Sequence, residues 1–480
     1  MPADVSIACP APPRVRLASA RAWTRPALVL IPALVAFAFF LVAPQVLGDG
    51  DTWWHLKAGQ WMLQHHAVPR TDPFTFTYVG RPWHAHEWLA EVLLAAAYGL
   101  GGWSGAVVLG GAAFAAAFGV MARALNRRLE PAHALLALAL TAGCLAPGLL
   151  LRPHLFSTPL LAAWTVLLLD ARRRGGAPSP AWALLVVLWV NLHASVVFAL
   201  ALIVPFALEA LIERRADPWP VVRGWGVFGL AALAAGLVSP FGLDGLLFPL
   251  QVASMPALGS IVEWRPLDLT RLQPAEVAFA VGLAALLYRR PRVPLTRVVV
   301  LLTLVWMTLA HQRHQVLLGV VGVLIVADAL GRSPTAGARP KAEPAIAAAV
   351  LALAIAALRL SLPIVRADAP TAPAAALAHA PRALRGQPVF NDYGMGGYLI
   401  FQGVRPYIDG RTDMYDAAFD RAYTAAANGD RAALDASLAE RHIAWTILSP
   451  SSGAARVLDG EPGWRRLYAD RFAVIHVRRP

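Results

Sequence analysis

Eleven long apolar stretches, near residues 27–47, 103–124, 132–151, 154–169, 179–192, 195–212, 224–240, 274–288, 296–310, 315–331 and 344–362, decide what this chain can fold into. Most approach the roughly 20 residues that cross a bilayer as a helix. Inside lipid every backbone N–H and C=O must be satisfied within the segment, so such stretches fold as helices. Hydrophobic residues make up 58% of the chain and charged ones 15%, the balance of a polytopic α-helical membrane protein with about eleven spans. The stretch 179–192 is short and ends in Asn191-Leu192-His193, which reads as a broken hairpin leading into 195–212.

The net charge of +13 does not point to nucleic acid, because the arginines cluster in short loops between apolar runs. With eleven spans and the N-terminus inside, twenty lysines and arginines fall in inner segments, from Arg14 and Arg16 through Arg172, Arg173 and Arg297 to Lys341. The outer loops hold seven: Lys57, Arg70, Arg81, Arg152, Arg265, Arg271 and Arg313. Basic residues are retained on the cytoplasmic side, so this orientation is expected, with the C-terminal region outside. No small-x-small cleavage site follows the first run, which predicts a retained span. Cys9 and Cys144 lie in the tail and in an apolar run, a placement that favours no structural disulfide. The expected organisation is a cytoplasmic tail (1–26), a transmembrane region (27–362) and an extracytoplasmic α/β domain (363–480). Residues 332–343 read as an inner linker.

The first outer loop, 48–91, concentrates the chemistry. It contains Asp49, Asp51, five histidines (His55, His65, His66, His84, His86) and Trp53, Trp54, Trp61, Trp83 and Trp88. Indole rings suit the membrane surface. In Asp49-Gly50-Asp51, two close carboxylates can share a divalent cation, or one can act as base while the other orients an acceptor. Equally, Asp51 can cap a helix that starts at Thr52. His86-Glu87 offers an acid/base pair, or simply favourable charge at a helix start.

Further along, Arg152-Pro153-His154 places a cation at an outer turn, suited to an anionic head group or to anchoring in lipid phosphate. Asn191 and His193 are costly at membrane depth unless paired, as site residues or as a packed polar contact. His311-Gln312-Arg313-His314 forms another outer turn, with Arg313 and His314 able to meet phosphate. Glu263-Trp264-Arg265 reads as a local ion pair. With His55 these supply the candidate substrate-binding set. In the last part, PVFND (388–392), PYIDG (406–410), AWTILSP (444–450) and FAVIHVR (472–478) read as strands, with helices near 412–427 and 430–441. Asn391-Asp392-Tyr393-Gly394 and Asp409-Gly410-Arg411-Thr412-Asp413 read as turns at strand ends, with Asp409 and Arg411 a deliberate pair. No GxGxxG, P-loop, GxSxG or Cys/His zinc pattern is present in the sequence.

One span, then an outward loop opening on an acidic motif and followed by HEWLAEVLLAAAYGLGGWSGAVVLGGAAFAAAFGVMARALNRR, resembles the GT-C membrane glycosyltransferases, in particular the protein mannosyltransferase and lipid A aminoarabinose transferase group. The resemblance covers roughly residues 20–215. It implies a multi-pass protein of the bacterial cytoplasmic (inner) membrane that moves a sugar from a polyprenyl-phosphate donor to an outer-face acceptor. It also implies Asp49 or Asp51 as the catalytic acidic position. The chain departs from metal-dependent relatives at Arg152-Pro153-His154, where they carry another acidic group, and this leaves a divalent cation at Asp49 and Asp51 open. Two rival readings use the same residues: a transporter or flippase, and a non-catalytic membrane assembly protein. The polar residues gather at the outer ends of the helices rather than at mid-depth, which favours the enzyme. The partners expected are the lipid bilayer and a polyprenyl-phosphate-linked sugar, with no nucleic acid.

Overall fold

The computed structural model describes residues 20–253, 255, 261–331 and 342–479. The N-terminal residues with Cys9, Arg14 and Arg16, and the linker from 332 to 341, lie outside the described residues. Among the described residues, fourteen α-helices run up to Ser361, ahead of a region that carries a mixed sheet. They are α1 (Ala20–Val42), α2 (Asp51–His65), α3 (Trp88–Asn126), α4 (Pro131–Leu145), α5 (His154–Arg173), α6 (Leu184–Leu192), α7 (Val196–Glu213), α8 (Trp219–Gly236), α9 (Gly242–Ala253), α10 (Pro274–Arg289), α11 (Leu295–Ala310), α12 (Gln315–Leu317), α13 (Val323–Leu330) and α14 (Ala342–Ser361). A π-helical turn, Leu318–Gly322, joins α12 to α13. Every apolar stretch expected to be helical is so. Among the described residues, six helices are long and apolar enough to cross a membrane.

Two of the helices differ from expectation. α3 was expected to start near residue 103 but runs 39 residues from Trp88. At 1.5 Å per residue that is roughly 58 Å, about twice the hydrocarbon thickness of a bilayer. A break at Gly101 and Gly102 divides it, and Gly102 has φ +57°, a conformation that costs a glycine little. The apolar pattern from Trp88 to Tyr98 thus forms a helical arm ahead of the break. α9 lies in a segment read as loop.

The elements after α14 are α15 (Ala374–His379), α16 (Arg382–Arg385), β1 (Val389–Asn391), α17 (Gly396–Phe401), α18 (Ala417–Asn428), α19 (Arg431–Glu440), β2 (Trp445–Leu448), α20 (Gly453–Asp459), β3 (Trp464–Ala469) and β4 (Val474–Arg478). The sheet order is β1-β2-β4-β3, with β1 and β2 parallel and the other pairs antiparallel. PYIDG, expected as a strand, is irregular, and WRRLYA supplies β3 instead. The reason is local: Tyr407 N–H donates to the Asn391 side chain at 2.7 Å, and Asp409 N–H to the Tyr415 hydroxyl at 3.1 Å. Side chains thus take the donors that a ladder would have used.

This sheet region does not stand apart. One apolar cluster combines Trp54, Met62, Phe74, Tyr78 and Trp83 of the first loop with Phe390, Tyr407 and Leu434. Arg411, wholly buried, pairs with both Asp72 (2.8 Å) and Asp409 (2.7 Å) beneath the ring of Trp83. Glycines let the two parts meet closely. A Cβ on Gly397 would strike the carbonyl of Gly50, and one on Gly410 would overlap the Asp51 carboxylate.

At the opposite end of the bundle, a knot of charge joins helices distant in sequence. Arg297 of α11 pairs with Glu209 of α7 (2.7 Å) and Asp328 of α13 (2.8 Å). Arg128 pairs with Asp328 (2.9 Å) and Asp170 (2.5 Å). Arg172 pairs with Glu209 (3.1 Å) and Glu213, and Arg173 with Asp328 (2.7 Å). The four guanidinium groups meet four carboxylates, so the knot is neutral.

Candidate active site

α2 begins at Asp51 with Gly50 as its N-cap, and no side chain caps it. Asp51 is therefore not the helix cap that one reading of the sequence allowed. Asp49 accepts from the Asp51 N–H at 3.3 Å. The carboxylates converge on Arg152, which stands in the turn before α5: Nε faces Asp49, Nη2 faces Asp51, and Nη1 meets Glu263 Oε1 at 2.8 Å. Glu263 was expected to pair locally; it reaches Arg152 instead. Burial raises the Glu263 carboxyl, but Arg152 and Arg313 outweigh it and the net direction is down.

All three edges of Arg152 are thus committed to carboxylates. Its guanidinium occupies the space between Asp49 and Asp51 where a divalent cation would sit. Among the described residues, no three His, Cys, Asp or Glu converge as ligands for a metal. The residues present do not fit a metal there.

Beside this triad lies a second group. His55, buried on α2, contacts Glu91 of α3 through Nδ1 at 2.9 Å. Its Nε2 lies 3.9 Å from Glu87 Oε2. Burial pushes the His55 imidazole down to about 3, so it is neutral at physiological pH. His193, in the break between α6 and α7, places Nε2 3.3 Å from Glu87 Oε1, and His86 Nε2 lies 3.7 Å from the same oxygen. Burial raises the Glu87 carboxyl to about 7, against a lowering contribution from His86. Asn191 is satisfied by packing: it accepts from the Trp88 indole at 2.7 Å and donates to the carbonyls of Val187 and Val238. It ties the α6–α7 break to the first loop.

His154 donates from Nε2 to the Gly148 carbonyl at 2.7 Å, and its ring lies 6.4 Å from that of His193. Arg313 has a different setting. Its guanidinium stacks 4.4 Å over Trp264, with His311 and His314 against the same ring. It makes no ion pair within 4.0 Å among the described residues and is exposed. A stacked arginine keeps its N–H edge free for an oxyanion.

The structure therefore brings the candidates from four separate segments together at one end of the bundle. Glu91 was not singled out from the sequence, and Trp264 and Asp413 were named only inside a local ion-pair motif and a turn. Burial raises the Asp413 carboxyl, with His86 and Arg411 opposing. Nothing local marked them, since each gains meaning only from partners far along the chain.

No family profile and no curated protein matches this chain. Solved structures do resemble it. The Archaeoglobus fulgidus oligosaccharyltransferase in its apo form superposes with a TM-score of 0.56 at 12% identity, over 89% of this chain and 70% of that one. The same enzyme tethered to an acceptor peptide gives 0.52 at 13%, over 88% and 68%. ArnT from Cupriavidus metallidurans bound to undecaprenyl phosphate gives 0.53 at 13%, over 95% and 98%. The expectation drawn from the first loop holds at the level of architecture: the chain has the fold of the GT-C membrane glycosyltransferases.

Proposed function

We propose that this protein transfers a sugar from a polyprenyl-phosphate donor to an acceptor at the outer face of the bacterial inner membrane. One observation carries the reading: Asp49 and Asp51, clamped on Arg152, share one end of the bundle with Arg313, whose guanidinium is propped on Trp264 and left without a carboxylate partner. Transfer from a phosphate leaving group builds negative charge on the departing oxygens, and a fixed, unspent cation stabilises it. Arg313 and His314 take that role, with His154 nearby. Arg152, saturated by carboxylates, instead fixes Asp49 and Asp51 to orient the acceptor. No step requires a metal.

Reorientation by the charge count puts this end outside the cytoplasm. A reporter active only in the cytoplasm, fused at Pro480, is expected to be silent; activity there would overturn the orientation. The function itself is tested by lipid-linked sugar profiling of a deletion strain beside an Asp51→Asn strain. Accumulation of the same polyprenyl-phosphate sugar in both supports transfer, and unchanged profiles in both would sink it.

A further inference from the structure

The outer cluster holds six carboxyl groups. Asp49, Asp51 and Glu263 are committed to Arg152, and Glu91 to His55. Glu87 and Asp413 make no ion pair with an arginine, and only Glu87 is ringed by imidazoles. The hydrogen bonds orient two of them. The Ser195 backbone N–H donates to His193 Nδ1 at 3.1 Å, so the neutral ring carries its proton on Nε2, pointed at Glu87. His86 is held the other way round: its Nδ1 lies 3.0 Å from the carbonyl of His84, which can only accept, so Nδ1 carries a proton and Nε2 stands 3.7 Å from Glu87.

Among the described residues, Glu87 Oε1 thus faces two ring nitrogens, at 3.3 and 3.7 Å, and no guanidinium within 4.0 Å. No guanidinium at ion-pair distance holds Glu87 in its charged form, whereas the aspartates face one that favours only theirs.

We propose that Glu87, rather than Asp49 or Asp51, takes the proton of a hydroxyl-bearing acceptor, with His55 and Glu91 behind it as positioning residues. The inference rests on the sugar-transfer reading. The acceptor oxygen forms the new bond to the anomeric carbon while the bond from that carbon to the donor phosphate oxygen breaks. The electron pair leaves on polyprenyl phosphate, and the acceptor O–H proton passes to Glu87, then to water. An acceptor already ionised would have no proton to give and no use for such a seat, so the class is a hydroxyl.

The groups facing Glu87 are His55 from α2, His86 beside it, Glu91 from α3, His193 from the α6–α7 break, Arg313 before α12 and Asp413 before α18. Its carboxyl lies near 7, and a base works when ionised. Transfer should therefore rise with pH through neutrality.

Water serves as the simplest hydroxyl acceptor. The full chain in nanodiscs is given undecaprenyl-phosphate glucose and undecaprenyl-phosphate mannose, and free hexose is followed from acid to alkaline pH. Wild type should show a limb rising near neutrality. Glu87→Gln should lower the rate ~10²-fold or more and abolish the limb. Glu87→Asp should keep the limb at reduced rate, and His55→Gln and Glu91→Gln should move its midpoint. A Glu87→Gln protein with the wild-type profile, or an Asp49→Asn protein that loses the limb while Glu87→Gln keeps it, overturns the proposal. No hexose from either donor counts against the sugar-transfer reading instead. Infrared spectroscopy then decides Glu87 separately. Burial also raises the Glu91 carboxyl, to about 8, so the test is the difference: the wild-type minus Glu87→Gln spectrum should hold a carboxylic-acid band that titrates near neutrality, and a difference spectrum without one refutes the seat.

Discussion

Two buried polar clusters sit at opposite ends of one helical bundle, and they are built on opposite plans. At the far end, Arg128, Arg172, Arg173 and Arg297 are matched by Asp170, Glu209, Glu213 and Asp328, and every charge is answered. At the end carrying the first loop, among the described residues, Arg313 has no carboxylate and Glu87 no guanidinium within 4.0 Å, and Glu91 Oε2 and the Trp54 indole N–H are buried without a hydrogen-bond partner. Both clusters cost desolvation. A paired knot can recover that cost in rigidity between helices, while groups left unpaired persist only where something else has use for them. The difference separates scaffold from site without reference to any relative.

The comparison can be broken first at the knot. Arg297→Met takes one of two guanidinium partners from Glu209 and one of three from Asp328 and leaves the knot with a net negative charge, and removing one partner of a buried pair costs up to about 3–5 kcal/mol. The variant should lose its monodisperse size-exclusion peak at a markedly lower temperature than wild type. Arg152→Met at the other end frees carboxylates that are partly open to water, and its loss of thermal stability should be the smaller. The reverse order would mean the two clusters are alike.

Activity should respond the other way round. Asp51→Asn keeps the side-chain shape but loosens the clamp on Arg152. A misplaced reacting group costs roughly 10²-fold, read as donor consumption in membranes normalised to protein amount. A pure helix cap would tolerate the change, because asparagine caps about as well. Asp49→Asn belongs in the same assay, and full activity in both single variants and the double variant would end the site reading. Gly410→Ala is milder in stability. Its new methyl meets the Asp51 carboxylate and lies 3.1 Å from the Trp54 indole nitrogen, and overpacking costs about 1–3 kcal/mol. Its signature should be transfer lost out of proportion to melting temperature. The smallest effect is expected at Arg431, exposed and paired with Glu461 on the surface. Arg431→Ala should change stability by less than about 0.5 kcal/mol, within the range of exposed ion pairs.

Much of this comparison was readable from the chain, because apolar length is a local property. Each of the eleven greasy stretches became a helix, and loop 48–91 carries half of the site. The knot was invisible for the same reason. Arg128, Arg172, Arg173 and Arg297 were read as loop charges that set orientation, yet their carboxylates lie up to 200 residues away along the chain. Glu263 was assigned a neighbour as partner when its real one is Arg152. The strand expected at PYIDG failed where Asn391 and Tyr415 took its backbone donors. Pairings that close over long sequence distances leave no periodicity to read, and the site is made almost wholly of them.

The glycine seam at Gly397 and Gly410 has a consequence for how the protein is born. Ribosomes deliver α1 and the Asp49–Asp51 loop first, and the sheet that presses on them arrives only after the last helix has entered the bilayer. Arg411 must then find Asp72 across more than 300 residues of intervening chain. Until it does, the two aspartates have Arg152 but not the sheet region that packs over them. A chain whose synthesis stops before β1 would keep the residues of its neutral knot, while the end that carries Asp49 and Asp51 lacks the sheet region that packs on it.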